Sequence, residues 1–243
     1  MGKKYSTTFT VPFYMADSTQ KLQISSALAV ALEVSGKQSV ALDRSDDWVF
    51  EHFNKVWIVT EYALSIVRLP HFKETVTIET EAVSYNKIFC YRDFWFYDAD
   101  GNELLKIHST WVLMDFDSRH VDKINEEIVA PYAATFDKKI ERGHHFLSEQ
   151  LTEKKPLTET LGVRYADIDS NQHVNNAVYI DYALSPLGFD FLSAHTPEKI
   201  DIKYNHEVRP DSNVEVSIYQ DGLHTYHEIN DKDCQLEIRW RHA

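Results

Sequence analysis

The chain has 243 residues, of which 43% are hydrophobic and 26% charged, and its formal net charge is −13. This composition is that of a globular protein with a sizeable core. The negative charge argues against nucleic acid as a partner, because phosphate binding requires a concentrated positive surface. The longest apolar runs fall well short of the roughly 18 residues that a membrane helix needs.

Cysteine content and the N-terminus bear on location. The two cysteines, Cys90 and Cys234, lie far apart and form no CxxC pair. This argues against a disulfide framework or a zinc–thiolate site and suits a reducing compartment. The first residues are polar and lack the apolar segment of a signal peptide. We therefore expect a cytoplasmic protein.

The first half predicts a helix followed by strands. Leu22 to Val34 is rich in Ala and Leu, which favours a helix. Val56 to Val67 is dense in β-branched and aromatic residues and predicts a strand. Further strands are predicted over Phe89 to Tyr97 and Leu104 to Met114, joined by a turn at Asp100-Gly101.

The second half repeats this order. Val174 to Leu184 has apolar residues at helical spacing and follows the first helix at an offset of 150 residues. Lys199 to Val208 corresponds to the first strand when Pro70 is matched with Pro210, an offset of 140. We interpret the chain as a duplicated α+β unit.

The duplication predicts the domain organisation. Residues 1–117 form the first unit, residues 159–243 form the second, and residues 118–158 form a polar linker with a helix or an extended crossover. Each sheet alone would leave an edge and a face uncovered, so we expect the two halves to pair. A homodimer is an alternative to a monomer.

The entrance of the second predicted helix concentrates polar groups at Asp169, Asn171 and His173. Asp and Asn are common helix caps, and a lone histidine is more often structural, so capping is the alternative to catalysis. At the offset of 150, the matching positions of the first half are Thr19, Lys21 and Gln23. Both helices need a start, yet only one start carries this cluster, which favours a function.

Glu207 lies in the predicted strand Lys199 to Val208. Through the paired prolines, its counterpart in the first half is Val67. A buried carboxylate is costly unless it has partners or a task, and desolvation would suit it to general-base catalysis. We therefore predict that Glu207 is catalytic.

The run Asp-x-Asp-x-Asn-x-His-Val-Asn-Asn-x-x-Tyr, ending at Tyr179, resembles the signature of the acyl–acyl carrier protein (acyl-ACP) thioesterases of plants and bacteria. The segment Tyr204 to Pro210 resembles their second catalytic segment, and the likeness extends to Trp57 and Arg68-Leu69-Pro70. It implies an α+β double hot-dog fold, in which an antiparallel sheet wraps a long helix in each half. It also implies hydrolysis of acyl-phosphopantetheine thioesters on acyl carrier protein, as in fatty acid synthesis.

The resemblance marks as catalytic Asp169, Asn171, His173 and Glu207. Plant members commonly have a cysteine after the glutamate. Here that position is Val208, which argues against a cysteine nucleophile. The expected nucleophile is water activated by Glu207 together with Asn171 and His173, and direct carboxylate attack through an anhydride is the alternative. Asp169 either orients His173 or holds the helix entrance.

Substrate binding calls for three further features. Backbone N–H groups of Val174, Asn175 and Asn176 are expected to hold the oxyanion. An apolar tunnel between the halves or within the first half is expected to hold the acyl chain, lined by Trp111 and the aromatic residues of Phe89 to Tyr97. The candidates for docking an acidic carrier are Arg164, Lys199, Lys203 and Arg209.

This chemistry requires no metal and no cofactor. Four other histidines match no helical metal motif by their spacing and are expected at the surface: His144, His145, His224 and His227. The rival functions are an acyl-CoA thioesterase of the same fold, a hydratase or dehydratase on a related fold, and a non-catalytic acyl-chain-binding module.

Overall fold

The computed structural model describes residues 2–146, 155–169 and 172–243. The first half contains β1 (Lys4–Thr10), α1 (Ile24–Ala41), α2 (Asp46–Phe53), β2 (Lys55–Ile66), β3 (Thr75–Tyr85), β4 (Phe89–Tyr97) and β5 (Glu103–Asp115). Between the halves lie β6 (Val121–Asp122), α3 (Glu126–Val129) and β7 (Thr135–Phe136). The second half contains β8 (Leu157–Gly162), α4 (Val178–Leu184), α5 (Gly188–Ala194), β9 (His195–Tyr204), β10 (Asn213–Asp221), β11 (His224–Ile229) and β12 (Cys234–His242).

The described strands form one sheet in the order β1-β3-β4-β5-β2-β9-β12-β11-β10-β8, with β6 paired to β5 and β7 to β3. The halves join where β2 pairs antiparallel with β9, from Glu61 opposite Lys203 to Ser65 opposite Lys199. This pairing removes the edge that each half-sheet would otherwise expose. The predicted pairing of the halves therefore takes the form of one continuous sheet.

The helices pack their apolar residues against this sheet. In α1, Leu28 and Ala31 are buried among core residues of both halves, and Ile180 and Ala183 of α4 join the same cluster. Ala and Leu combine high helix propensity with apolar surface, which explains why this segment forms the long central helix. The predicted α+β double hot-dog architecture is confirmed.

The second helix is shorter than predicted. It begins at Val178, whereas the sequence pattern placed its start at Val174. The backbone before it is held by other bonds, because Val174 N–H donates to the Val208 carbonyl and Ala177 N–H donates to Asn175 Oδ1. Such local side-chain bonds compete with helix formation. The predicted limits of the two units and the linker stay predictions.

Backbone hydrogen bonds set the register of the internal repeat. Leu22 N–H donates to the Pro70 carbonyl, and Val174 N–H donates to the Val208 carbonyl. The entrance segments therefore correspond at an offset of 152 residues (22 to 174), and the following strands at an offset of 138 (70 to 208). The offsets of 150 and 140 expected from sequence were wrong, because Pro70 and Pro210 do not occupy equivalent positions.

Among the described residues, no helix is both long and apolar enough to cross a membrane.

Candidate active site

His173 and Glu207 come together. His173 Nε2 lies 3.2 Å from Glu207 Oε2. The side chain of Glu207 is 40% exposed and that of His173 is 25% exposed. A histidine and a carboxylate at this distance can exchange a proton, which is the arrangement that general acid–base catalysis needs. Asn171, the third member of the predicted set, lies outside the described residues.

The position of His173 is held by backbone hydrogen bonds of the second entrance loop, a name we give to Asp169 and Gln172–Val174. Asp169 N–H donates to the His173 carbonyl at 3.0 Å, and Gln172 N–H donates to the Asp169 carbonyl at 3.1 Å. Gln172 has a φ of 67°, a left-handed conformation that non-glycine residues adopt only when the surroundings hold them. The imidazole therefore projects from a closed, hydrogen-bonded frame.

The first half contains the same frame, the first entrance loop (Asp17–Leu22). Asp17 N–H donates to the Lys21 carbonyl at 2.8 Å, and Gln20 has a φ of 63°. The counterpart of His173 is therefore Lys21, and the counterpart of Asp169 is Asp17. The Asp17 carboxylate accepts hydrogen bonds from Thr19 N–H, Thr19 Oγ1 and Lys21 N–H. Asp169 thus has an equivalent with a structural role, unlike the Thr19 that the sequence offset assigned to it.

Glu207 does not lie in a strand. β9 ends at Tyr204, and Glu207 sits in the loop that follows. The next residue, Val208, is 3% exposed and its N–H donates to Tyr179 Oη at 2.8 Å. The buried valine thus anchors the loop and turns Glu207 outward. At the offset of 138 the counterpart of Glu207 is Leu69, a buried residue, so the predicted asymmetry between the halves persists.

Two tyrosines, Tyr179 and Tyr204, connect the segment after His173 to the loop that carries Glu207. Tyr204 Oη donates to the Asn176 carbonyl at 2.8 Å, and the rings of Tyr204 and Tyr179 meet edge to face with centroids 5.4 Å apart. Burial raises the pKa of both phenols well above their usual range, so both stay protonated. The pair ties the His173 segment to the Glu207 segment.

The His173–Glu207 pair borders a cavity of about 820 Å³. Its walls combine Asp169, Asn176 and Tyr204 from the second half with Leu32, Val59 and Trp111 from the first half. Tyr91 of the predicted aromatic strand also lines it, whereas Phe94 and Phe96 are fully buried core residues.

Neither cysteine is suited to act as a nucleophile. Cys90 lines the cavity, but burial raises its pKa to about 12, which keeps the thiol protonated. Cys234 is fully buried in β12, and burial raises its pKa well above the usual range. This agrees with the expectation drawn from Val208.

Two of the three predicted oxyanion donors are already engaged. Val174 N–H donates to the Val208 carbonyl, and Asn175 N–H donates to the Asp167 carbonyl at 2.8 Å. Because α4 begins only at Val178, these groups serve the loop rather than a free helix start. In the described part of the chain, no hydrogen bond occupies Asn176 N–H, which makes it the remaining candidate.

The four candidates for docking a carrier lie in different surroundings. Arg209 is exposed and lines the cavity beside Glu207. Lys199 forms an ion pair with Asp201 at 2.9 Å and lines a different cavity of about 480 Å³, while Lys203 lies opposite Glu61 in the β2–β9 pairing. Among the four candidates, only Arg209 lines the cavity that contains His173 and Glu207.

Arg164, the fourth candidate, forms a hydrogen-bonded ionic cluster with Asp167 and Tyr182. Its Nη2 donates to Asp167 Oδ1 at 2.7 Å, and Tyr182 Oη donates to Asp167 Oδ2 at 2.6 Å. Burial alone would raise the pKa of Asp167, but the hydrogen bonds from Arg164 and Tyr182 outweigh it and lower that pKa. Asp167 is 1% exposed, so Arg164 has a structural partner.

The histidines expected at the surface are partly internal. His227 is fully buried, with Nδ1 2.8 Å from the Ala183 carbonyl and Nε2 2.8 Å from Thr225 Oγ1. His144 and His224 both contact the buried carboxylate of Glu237, at 2.9 and 2.8 Å. Within residues 2–146, 155–169 and 172–243, the His, Cys, Asp and Glu side chains form no group of three or more suited to a metal ion.

Arg119 was not among the residues predicted from the sequence. Its Nη2 donates to Glu207 Oε2 at 2.6 Å, although it lies in the turn that joins β5 of the first half to β6. Nothing local in the sequence signals this contact, since it depends on how the two halves meet. The hydrogen bond from Tyr204 Oη to the Asn176 carbonyl joins residues that are also distant in the sequence.

Comparison with known proteins identifies the family. Residues 2–132 match the acyl-ACP thioesterase N-terminal domain, and residues 150–242 match the acyl-ACP thioesterase C-terminal domain. The chain belongs to the acyl-ACP thioesterase family. The predicted resemblance is thereby confirmed.

Individual relatives agree with this assignment. The chain is 25% identical over 228 residues to an oleoyl-acyl carrier protein thioesterase of Coriandrum sativum, covering 88% of this chain and 62% of that protein. It therefore spans less than two thirds of the length of this relative. A structure from Lactobacillus plantarum described as an oleoyl thioesterase is 34% identical, with a TM-score of 0.92 over 99% of this chain and 97% of the other.

A more distant structure shares the fold. The acyl-ACP thioesterase of Bacteroides thetaiotaomicron is 19% identical and has a TM-score of 0.82, covering 98% of both chains.

Proposed function

We propose that this member of the acyl-ACP thioesterase family hydrolyses fatty acyl thioesters on acyl carrier protein to free fatty acid and carrier. The observation that carries the proposal is the His173–Glu207 pair beside a cavity that extends into the first half. A cavity with apolar walls suits an acyl chain, and polar groups at one end suit the thioester. The catalytic set is His173 and Glu207, with Asp169 and Asn171 as the predicted supporting residues.

Water is the nucleophile in this proposal. Glu207 takes one proton from water as the water oxygen bonds to the carbonyl carbon, and Asn176 N–H donates to the oxyanion. The proton passes from Glu207 to His173 across the 3.2 Å contact. When the oxyanion collapses, the C–S bond breaks and His173 gives that proton to the sulfur. The products are a carboxylic acid and a thiol.

One alternative, direct attack by Glu207 followed by opening of the anhydride at the Glu207 carbonyl, can be distinguished by isotope labelling. A single turnover in ¹⁸O-labelled water is expected to place the label in the fatty acid and none in the protein. An anhydride intermediate opened at the protein carbonyl would instead leave label on Glu207, which mass spectrometry of the corresponding peptide detects.

The partner in this proposal is an acidic carrier protein that delivers acyl-phosphopantetheine. Arg209 supports docking because it is an exposed cation on the wall of the catalytic cavity. The cytoplasmic location and the homodimer considered from the sequence stay predictions.

A donor panel tests the proposed function. Purified protein is assayed for thiol release from matched acyl-ACP and acyl-CoA substrates over a series of chain lengths, with fatty-acid binding measured in parallel. We expect faster turnover of acyl-ACP. Preference for acyl-CoA would reassign the donor, and tight fatty-acid binding without turnover of any thioester would replace hydrolysis by an acyl-binding role.

A further inference from the structure

The carboxylate of Glu207 has a partner from outside the second half of the chain. Arg119 Nη2 donates to Glu207 Oε2 at 2.6 Å, and His173 Nε2 lies 3.2 Å from the same oxygen. Both contacts therefore converge on Oε2. The arginine lies on the wall of the same cavity.

A rigid turn delivers this arginine. Between β5 and β6, Ser118 N–H and Ser118 Oγ both donate to Asp115 Oδ1, at 2.8 and 2.7 Å, and Arg119 N–H donates to the Asp115 carbonyl. Arg119 has a φ of 57°, which costs a non-glycine residue about 1 kcal/mol. The turn thus holds Arg119 in a backbone conformation that an unconstrained chain avoids.

The ion pair between Arg119 and Glu207 contributes little to the stability of the fold. The side chains of Arg119 and Glu207 are 41% and 40% exposed. Ion pairs at such exposure contribute about 0–1 kcal/mol. A strained turn that ends in a weakly stabilising pair is better explained by the geometry it imposes on the carboxylate.

Other charged or titratable groups also surround Glu207. The second entrance loop supplies Asp169 and His173, the turn after β5 supplies Arg119, and Tyr179 lies beneath. The loop of Glu207 itself supplies His206 and Arg209, and His206 pairs with Asp233 at 3.2 Å. Among the described residues, the ion pairs of Glu207 join it to Arg119 and His173.

We propose that Arg119 is a positioning residue for thioester hydrolysis. It fixes Glu207 Oε2 against His173 and so orients the carboxylate towards the attacking water. This inference rests on the proposed function and adds a contribution from outside the second half to a site whose other members lie in the second. It follows that the pairing of β2 with β9 is a condition for a fully ordered site.

The kinetic test uses a thioester without phosphate, octanoyl-N-acetylcysteamine, so that Arg119 has no phosphate to bind. For Arg119→Gln we expect kcat to fall by about 10- to 100-fold with little change in KM. Arg119→Lys should recover part of the lost kcat but not all of it, since the ammonium keeps the charge without the planar geometry.

Lys123→Gln is the matched control, because it removes the same charge from an exposed position four residues further on. We expect its kcat and KM to equal those of the wild type. Urea unfolding of all variants should agree within about 1 kcal/mol, which excludes misfolding as the cause.

Two outcomes would overturn the proposal. One is a normal kcat on the phosphate-free thioester combined with a raised KM on carrier- or CoA-linked thioesters, which would make Arg119 a phosphate contact. The other is a crystal structure of Arg119→Gln in which Glu207 Oε2 still lies within hydrogen-bond distance of His173 Nε2. Because the structure needs no turnover, it decides the role of Arg119 even if the wild type hydrolyses no thioester.

Discussion

The first and second entrance loops share backbone hydrogen bonds and differ in what their side chains contact. In the first, Lys21 Nζ donates to Thr196 Oγ1 at 3.0 Å, and in the second, His173 lies 3.2 Å from Glu207. The backbone hydrogen bonds and the left-handed glutamine recur in both. The loop conformation is therefore a property of the fold, and the proposed chemistry depends on side chains placed on one of two equivalent frames.

The largest effect should come from the side chains that distinguish the loops. We expect His173→Ala and Glu207→Gln each to lower kcat by about 10²- to 10⁴-fold, because each removes one partner of the proton-transfer pair. Lys21→Ala is the matched control at the equivalent position and should retain wild-type kcat in the same thiol-release assay. A comparable loss in Lys21→Ala would break the comparison, since the frames would then not differ in function.

The comparison extends to the helices that follow the loops. Ala183 lies in the last turn of α4, where carbonyls lack helical partners, and His227 Nδ1–H donates to it. Its counterpart Ala31 lies inside the longer α1. Burial lowers the pKa of His227 from 6.5 to about 4, so the folded protein binds this proton less readily than the unfolded chain.

This histidine predicts a loss of stability in acid. The contribution is fully present above pH 6.5 and is lost as the pH falls towards 4, by up to about 3 kcal/mol. His227→Gln keeps a donor for Ala183 but cannot become charged, so its free energy of unfolding should fall less between pH 7 and pH 4. Urea unfolding at several pH values measures the difference, and parallel pH curves for the two proteins would contradict the prediction.

Much of this architecture was readable from local sequence patterns. β4 spans the predicted Phe89 to Tyr97, and β2 lies within one residue of its predicted limits. The duplicated order and the polar cluster before α4 were also visible, because helix propensity, strand alternation and turn residues act over short stretches of chain.

The details of the site were less accessible because they depend on distant contacts. The true counterpart of His173 is Lys21, and only the hydrogen bonds of Leu22 and Val174 to later segments reveal the offset. The approach of Arg119 to Glu207 depends on how the halves join. The position of Glu207 beyond the end of β9 depends on the burial of Val208 beneath it. None of these contacts leaves a periodic signal.

A smaller effect is expected at the ionic cluster found only in the second half. Asp167 accepts from Arg164 and Tyr182, whereas the counterparts of Asp167 and Tyr182 in the first half are Met15 and Val30. Asp167→Asn should lower the free energy of unfolding by about 2 kcal/mol at pH 7, because the buried site loses a charge-assisted pair of bonds. Met15→Leu at the equivalent position should cost less than half of this in urea unfolding. Equal losses of unfolding free energy in the two variants would show that the ionic cluster adds no particular stability to the second half.

The smallest effect concerns the aspartates that begin the two loops. Asp17 holds its loop through Thr19 and Lys21 N–H, so Asp17→Ala should cost about 1 kcal/mol of stability. If the frames are equivalent, Asp169→Ala should cost a similar amount and reduce kcat by less than about tenfold, because its carboxylate would hold the loop rather than act on His173. A far larger loss of kcat at the same cost in stability would show that Asp169 orients the imidazole. The two outcomes differ in the ratio of rate loss to destabilisation, so measuring both quantities on this pair of variants decides whether Asp169 orients His173 or only holds the loop.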